Sequence, residues 1–328
     1  MGLHAKVFAW TRKRLAPSLA GSAFPVAGTE REMPPSEIDL IRARLAAHPR
    51  RADLAARRER IDDLGAGYVL PPDVVVEPVS AHGVPAEWTR TPAASGGRVV
   101  LFLHGGGYVS GSLTSHRHMI AQAGREAEAR TLALDYRLAP EHPFPAALED
   151  ALAGYRFLLD ANVAPTQIAL AGESAGGGLA LATVLSLREA GLPLPGCLWL
   201  SSPWTDLALI GASMEAKAAV DPLLSRTYLT ELANLYLDGA DARDPLVSPI
   251  YADLTGVPPM LIQVGSAETL LDDSIRLAAA AGAVDVSVRL AIWPHMIHAW
   301  HLFYQEVADG RRSLAEAGAF IRAHLDGA

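Results

Sequence analysis

The chain predicts an α/β fold: a mostly parallel, doubly wound sheet flanked by helices and carrying a helical cap. Three observations predict it. Apolar runs of strand length alternate with helix-period segments from about residue 74 onward, the pattern of parallel strands joined by crossover helices. The pentapeptide Gly172-Glu173-Ser174-Ala175-Gly176 sits where one such run meets one such helix. Two stretches, 1–70 and 203–254, hold helix and turn signals but no strand run.

Taken in order, the first helix signal is Ser36-Glu37-Ile38-Asp39 after Pro34-Pro35, a capping-box-like start. Ile38, Ile41 and Leu45 give it one apolar face, and Pro49 ends it. A second helix is expected from about Arg51 to Leu64, with Leu54, Ile61 and Leu64 inward. Both precede any strand and read as an addition to the sheet. Val74–Val79 and Val84–Thr89 predict an antiparallel pair around His82-Gly83. Arg98–Leu103 is nearly all apolar, as a strand covered on both faces is, and Thr131–Asp135 is similar. A helix follows from Pro145, with Leu148, Leu152, Tyr155 and Leu159 on one face. Gln167–Ala171 leads into the pentapeptide, and Gly196–Ser201, Pro259–Val264 and Val286–Ile292 are the later strands. Ser313-Leu314-Ala315-Glu316 reads as the capping box of a closing helix. Long strandless insertions are usually functional. Residues 203–254 therefore read as a lid that forms, with residues 1–70, a cap over a core of residues 71–202 and 255–328.

Half of the 328 residues are apolar, which suits a compact globule. A formal charge of −8 argues against a nucleic-acid partner. The charge is uneven: residues 1–60 hold 12 Lys/Arg against 6 Asp/Glu, and the remainder 16 against 30. A basic arm of this kind can touch anionic lipid, but a solvated helical arm over an acidic body is the commoner arrangement. The single cysteine, Cys197, lies in the apolar run Cys197-Leu198-Trp199-Leu200 and reads as core filler. A reducing compartment fits it. Arg12-Lys13-Arg14 lacks the apolar run of a secretory leader behind it. Lys6 stands where N-myristoylation wants Ser or Thr. No segment is long and apolar enough to span a bilayer. The expectation is a cytoplasmic protein without stable membrane insertion.

The pentapeptide has the form G-x-S-x-G, and its strand-before, helix-after context makes it a nucleophile elbow. Gly172 and Gly176 keep Cβ atoms away from a crowded corner, and Ala175 N–H opens the helix where an oxyanion would form. A serine hydroxyl needs a base, a group that orients the base, and donors for the oxyanion. In Trp293-Pro294-His295-Met296-Ile297-His298-Ala299-Trp300-His301, His298 follows the last strand, where the base of such a fold belongs. The i, i+3, i+6 histidines also invite a metal reading, which leaves Ser174 unexplained and lacks a placed carboxylate. His295 and His301 are read as surface or cap-facing. Gly265-Ser266-Ala267-Glu268-Thr269-Leu270-Leu271-Asp272-Asp273 offers the acid. Glu268 lies nearest the strand end, Asp272 is the second candidate, and Asp273 falls with it at a helix start. His104-Gly105-Gly106-Gly107, directly after a strand, offers free N–H groups; the context of a phosphate-binding loop is absent.

These motifs together resemble the hormone-sensitive-lipase-like bacterial esterases, family IV of the α/β-hydrolase fold. The likeness rests on His104-Gly105-Gly106-Gly107-Tyr108, Asp135-Tyr136-Arg137-Leu138-Ala139-Pro140-Glu141, Phe144-Pro145-Ala146-Ala147 and Gly172-Glu173-Ser174-Ala175-Gly176, from about residue 70 to the end. The resemblance implies an eight-stranded sheet, a helical cap, no cofactor and no metal, and hydrolysis of small esters with short or medium acyl chains. Carried over by position, Ser174 is the nucleophile and His298 the base, while Glu268, the acid read from the strand end, stands where the family motif departs. Gly105, Gly106 and Ala175 supply the oxyanion N–H groups, and His104 shapes the glycine loop. Many relatives dimerise through a sheet edge, so a homodimer through the late strand is one arrangement it implies. Two departures stand out: Glu173 replaces a usual Asp, and Glu268-Thr269-Leu270 replaces a usual Asp-Pro-Leu. Asp221-Pro222-Leu223 copies that acid motif but lies in the expected cap, before the late strand. Asp135, Tyr136, Arg137, Glu141 and Asp150 are expected to brace the glycine loop as a polar network. His116 and His118 are expected near a helix start. A lactone hydrolase, a non-catalytic small-molecule binder and a peptidase are the rival readings. Trp204, Leu207, Met214, Leu223, Leu224, Tyr228 and Leu229 line the cavity or form cap core.

Overall fold

A computed structural model describes residues 35–94 and 97–326. The Lys6 and Arg12-Lys13-Arg14 signals, and the first half of the expected 1–70 segment, lie outside the described residues. Two helices come first, α1 (Glu37–Ala47) and α2 (Leu54–Ala66). Ser36 caps α1 in a reciprocal box with Asp39, as the sequence predicts. Then follow β1 (Val75–Ala81), β2 (Val84–Arg90), β3 (Val99–Leu103), α3 (Leu113–Glu126), β4 (Arg130–Leu134), α4 (Ala146–Asp160), β5 (Ile168–Glu173), α5 (Ala175–Glu189) and β6 (Cys197–Ser201). The strandless interval carries α6 (Ser213–Ala216) and α7 (Arg226–Leu237). The chain ends with β7 (Met260–Gly265), α8 (Leu271–Gly282), β8 (Val288–Trp293) and α9 (Ala308–Leu325).

The eight strands form one sheet in the order β1-β2-β4-β3-β5-β6-β7-β8. Only β2 runs against its neighbours; the β1–β2 hairpin turns at His82 and Gly83, both with positive φ. Side chains alternate across the sheet. Leu101, Leu103, Leu170, Leu198 and Leu200 face one helical layer with Leu158, Leu185 and Leu277. Val100, Phe102, Ala169, Cys197 and Trp199 face the other with Met119, Leu314 and Ile321. Cys197 is thus core, its thiol pushed up to about 12 by burial. The chain steps one way from β3 to β4 and the other way to β5, so β3 and β5 are neighbours with Leu103 beside Gly172. Loops at the carboxyl ends of such a pair diverge and leave a crevice, the usual place for a ligand. Both singled-out motifs emerge there.

The closing capping box is not formed. Helix α9 begins at Ala308, and Ser313 is fully buried within it, its hydroxyl donating to Gly310 O. Glu316 is drawn to Arg289 and Gln263 instead. A serine inside a helix bonds back to the preceding turn as readily as it caps, so the local pattern does not fix the start. Among the described residues, no helix is long and apolar enough to cross a membrane.

Candidate active site

Ser174 joins β5 to α5 with φ 54° and ψ −120°, a conformation that costs a non-glycine residue energy. The surroundings hold it there. Its N–H donates to Ser201 O at 2.8 Å, and its carbonyl accepts from Gly177, Gly178 and Trp204. Glycine is required on both sides: a Cβ on Gly172 would lie 2.1 Å from Gly176 O, and one on Gly176 would lie 2.0 Å from Leu103 O.

His298 sits in the turn after β8. Helix α1 lies over that turn, its predicted face of Ile38, Ile41 and Leu45 packing with Met296, Ile297, Trp300 and Phe303. His298 Nε2 is 2.9 Å from Ser174 Oγ, and Nδ1 is 2.7 Å from Glu268 Oε2. An ionised carboxylate only accepts, so in the neutral imidazole Nδ1 carries the proton and Nε2 is free to accept from the serine. Glu268 is fully buried three residues past β7; its Oε1 accepts from Gly265 N–H and, at 2.9 Å, from Ser202 Oγ. Burial pushes its carboxyl up, against the opposing pull of His298. Burial also pulls His298 down, but the hydrogen bond and charge of Glu268, then the charges of Glu173 and Asp221, outweigh it and push the imidazole up to about 9.

The other acid candidates are placed elsewhere. Asp272 accepts from Ser213 N–H at 3.0 Å. Asp273 accepts from Thr205 and Asp206 N–H, and burial pushes it up to about 8. Asp221 accepts from Thr269 and from Leu223 and Leu224 N–H, so the look-alike motif pins the loop that carries Glu268. His295 is exposed. His301, expected at the surface or cap, is instead wholly buried between Ser201 and Gln263, where burial pulls it down to about 3.

The glycine loop departs from expectation by one position. Gly105 N–H points at His116 Nε2, 3.3 Å away, and Gly105 is not on the cavity wall. A Cβ on Gly105 would lie 1.7 Å from Glu173 Oε2. Gly106 and Gly107 do line the cavity. Among the described residues their N–H groups, like that of Ala175 at the start of α5, have no protein acceptor. Gly105 is therefore replaced by Gly107 as a candidate donor, because the first glycine of the run is turned toward the α3 side. His104 stacks on Tyr136 at 4.2 Å, and Tyr136 Oη donates to His104 O. The expected polar bracing is present: Arg137 pairs with Asp150, while Arg58 of α2 donates to Val109 O, Ala139 O and both oxygens of Glu141. Arg58 carries no sequence signal for this role, since its partners lie 51 to 83 residues along the chain.

Glu173 and His116, 57 residues apart, meet beside the site. Glu173 Oε2 lies 3.3 Å from His116 Nε2. Oε1 is buried, has no hydrogen-bond partner among the described residues, and stands 3.5 Å from His298 Nε2. A second carboxylate thus faces the imidazole. Above the serine opens a cavity of about 1220 Å³, walled by α1, α2, α7 and the turn after β8. Trp204, Leu223, Leu224, Tyr228 and Leu229 line it, whereas Leu207 and Met214 are core. His118 is held to Leu302 O and burial pulls it down to about 4.

A family profile described as the alpha/beta hydrolase fold matches residues 100–302. The chain is 45% identical over 291 residues to an acetyl-hydrolase of Streptomyces hygroscopicus, covering 87% of this chain and 96% of that one. It is 35% identical over 276 residues to the putative acetyl-hydrolase LipR of Mycobacterium tuberculosis, covering 84% and 89%. A crystal structure of an esterase from the bacterial hormone-sensitive lipase family superposes with a TM-score of 0.87 at 42% identity, covering 89% of this chain and 100% of that one. The esterase EstE5, soaked with p-nitrophenyl butyrate, superposes with a TM-score of 0.85 at 41% identity, covering 88% and 99%. The chain belongs to the hormone-sensitive-lipase-like esterases of the α/β-hydrolase fold and is a carboxylic ester hydrolase.

Proposed function

We propose that the protein is a serine carboxylesterase acting through an acyl-enzyme on small esters with short or medium acyl chains. The observation that carries this reading is the hydrogen-bonded line Glu268–His298–Ser174 on the floor of the cavity. Ser174 Oγ attacks the ester carbonyl as His298 Nε2 takes its proton. Glu268 keeps the imidazole in the accepting tautomer and balances the imidazolium that forms. Gly106, Gly107 and Ala175 N–H groups face the developing oxyanion, the term that usually contributes most. His298 then protonates the departing alcohol, and water, deprotonated by the same imidazole, releases the acid. Residues 35–70 and 203–254 serve as the cap that closes over the substrate.

The apolar wall of Leu223, Leu224, Leu229 and Leu232 suits an alkyl chain. The names of the relatives, two acetyl-hydrolases and an esterase soaked with a butyrate ester, agree with a short acyl group. The test is an acyl-length series of p-nitrophenyl esters, with lactones alongside, on wild type and Ser174→Ala. Ser174→Ala is expected to lose about three or more decades of turnover and to lose labelling by a phosphonate probe, with its melting temperature kept. Retention of more than about a tenth of the turnover would overturn the assignment.

A further inference from the structure

The basic N-terminal charge found in the sequence has a specific place. Five arginines, Arg44, Arg50, Arg51, Arg57 and Arg60, line the cavity that opens over Ser174. Two are satisfied by carboxylates: Arg44 pairs with Glu306 at 2.9 Å, and Arg57 with Glu231 at 2.7 Å. Arg50 donates to Leu223 O and lies 3.2 Å from the centre of the Tyr228 ring, with Arg57 at 5.5 Å over the same ring. Among the described residues, Arg50, Arg51 and Arg60 have no carboxylate within 4.0 Å. The carboxylates that share the lining, Glu59, Asp63 and Glu173, are not bonded to them.

This clustering is unfavourable in the free protein. Arg57 and Arg60 are i, i+3 neighbours on α2, where like charges repel. Arg57 closes the first turn, where the helix dipole disfavours cations. Burial and then the neighbouring Arg51 pull Arg60 below its usual value. Burial likewise pulls Arg50 down, joined by Arg57 and Arg60 and opposed by Tyr228 and Glu231. Elsewhere, Arg58, Arg98, Arg117, Arg125, Arg137 and Arg276 each meet a carboxylate, and Arg42, Arg188 and Arg311 donate to backbone carbonyls; Arg51 and Arg60 have neither kind of partner among the described residues. In a chain of net charge −8, a group of arginines along one cavity with no carboxylate bonded to three of them among the described residues creates a local positive field.

Resting on the ester-hydrolysis reading above, we propose that the enzyme selects esters carrying an anionic group, a carboxylate or phosphate, remote from the scissile carbonyl, and that Arg51 and Arg60 with Arg50 receive that group at the cavity mouth. The guanidinium fork suits both anions. The apolar wall then holds the carbon chain between the anion and the ester. Ester cleavage itself is unaltered: the acyl carbon–oxygen bond breaks, water supplies hydroxyl and proton, and the anion stays a spectator.

The test compares matched p-nitrophenyl esters: the adipate monoester, its neutral methyl-capped partner, and a six-carbon acyl chain ending in phosphate. A second pair places the charge on the alcohol side, 4-acetoxybenzoate against its methyl ester. The readout is the ratio of kcat/KM for charged over neutral partner, at low and high salt. Wild type is expected to favour at least one charged partner by about tenfold or more at low salt, with the preference shrinking as salt screens it. In Arg51→Gln/Arg60→Gln the ratio is expected to fall toward one, and in Arg60→Glu below one. A carboxylate-only or phosphate-only preference identifies the anion. A ratio at or below one for every pair in wild type, or a preference that the double variant keeps, overturns the proposal. Loss of turnover on the neutral esters of wild type would instead count against ester hydrolysis by Ser174, so the two failures are distinct.

Discussion

Exchanging Glu268 for glutamine tests the site by geometry rather than by charge alone. Glu268 Oε1 accepts from the backbone N–H of Gly265, which cannot rotate away, and from Ser202 Oγ. In Glu268→Gln the amide oxygen is therefore kept at Gly265, and the NH2 group is aimed at His298 Nδ1, 2.7 Å away in the native protein. Nδ1 must then accept. The ring proton moves to Nε2, which turns a donor toward Ser174 Oγ at 2.9 Å where an acceptor is needed. Inverting the tautomer in such a triad costs on the order of 10⁴ in turnover, about 5.5 kcal/mol at 1.36 kcal/mol per decade. The fold should not suffer in step. Burial makes the Glu268 carboxylate unfavourable, so a neutral isostere is expected to hold or raise Tm. The assay is kcat and KM on p-nitrophenyl acetate, with Tm by circular dichroism. Asp272→Asn is the control and is expected to stay within a few-fold of wild type, since Asp272 serves Ser213. A Glu268→Gln enzyme within tenfold of wild type, or an equal loss in Asp272→Asn, would refute this reasoning.

Two further predictions concern charge near the imidazole. A base must be neutral to take the serine proton, and His298 is pushed up to about 9. Activity is therefore lost as pH falls through that value, and the acidic limb of kcat/KM is expected on the alkaline side of 6.5. Glu173→Gln removes one of the negative charges acting on His298 and moves the limb toward acid; a limb centred below 6.5 in wild type contradicts this. Asp221→Asn leaves one oxygen for four donors on Thr269, Leu223 and Leu224. It is expected to cost about 1–3 kcal/mol, seen as a Tm drop of several degrees, and an unchanged Tm would contradict it.

Much of the fold was legible because the sheet is covered on both faces, so β3, β5 and β6 read as largely apolar runs and β7 as one interrupted by Gln263. The elbow was legible because its strand, turn and helix are contiguous. The nearness of Glu268 to a strand end is a sequence signal, and from there it reaches His298. Long-range geometry was less so. Helix α4 turns Ala147, Ala151 and Gly154 inward and leaves Leu152 and Leu159 only partly buried. Close packing chose small residues there: a Cβ on Gly154 would lie 2.4 Å from Leu134. Which glycine faces the cavity depends on His116, eleven residues on and on a different element. His301 is indistinguishable in sequence from its neighbours. Its burial comes from Ser201 and Gln263, on strands far along the chain.

The stretch leading to α7 is stitched to the loop bearing Glu268. Ser213 bonds Thr269 O and the N–H of Asp272, and Asp221 holds Thr269. Grafting a foreign lid across residues 213–224 would therefore cut the guy-ropes of the acid and slow the chemistry, whatever it did to substrate choice. Tyr228 and Leu229, one turn into α7, carry no such tether to that loop among the described contacts. Both line the cavity, so substitutions there are expected to shift acyl preference while the 2.7 and 2.9 Å contacts of His298 are kept.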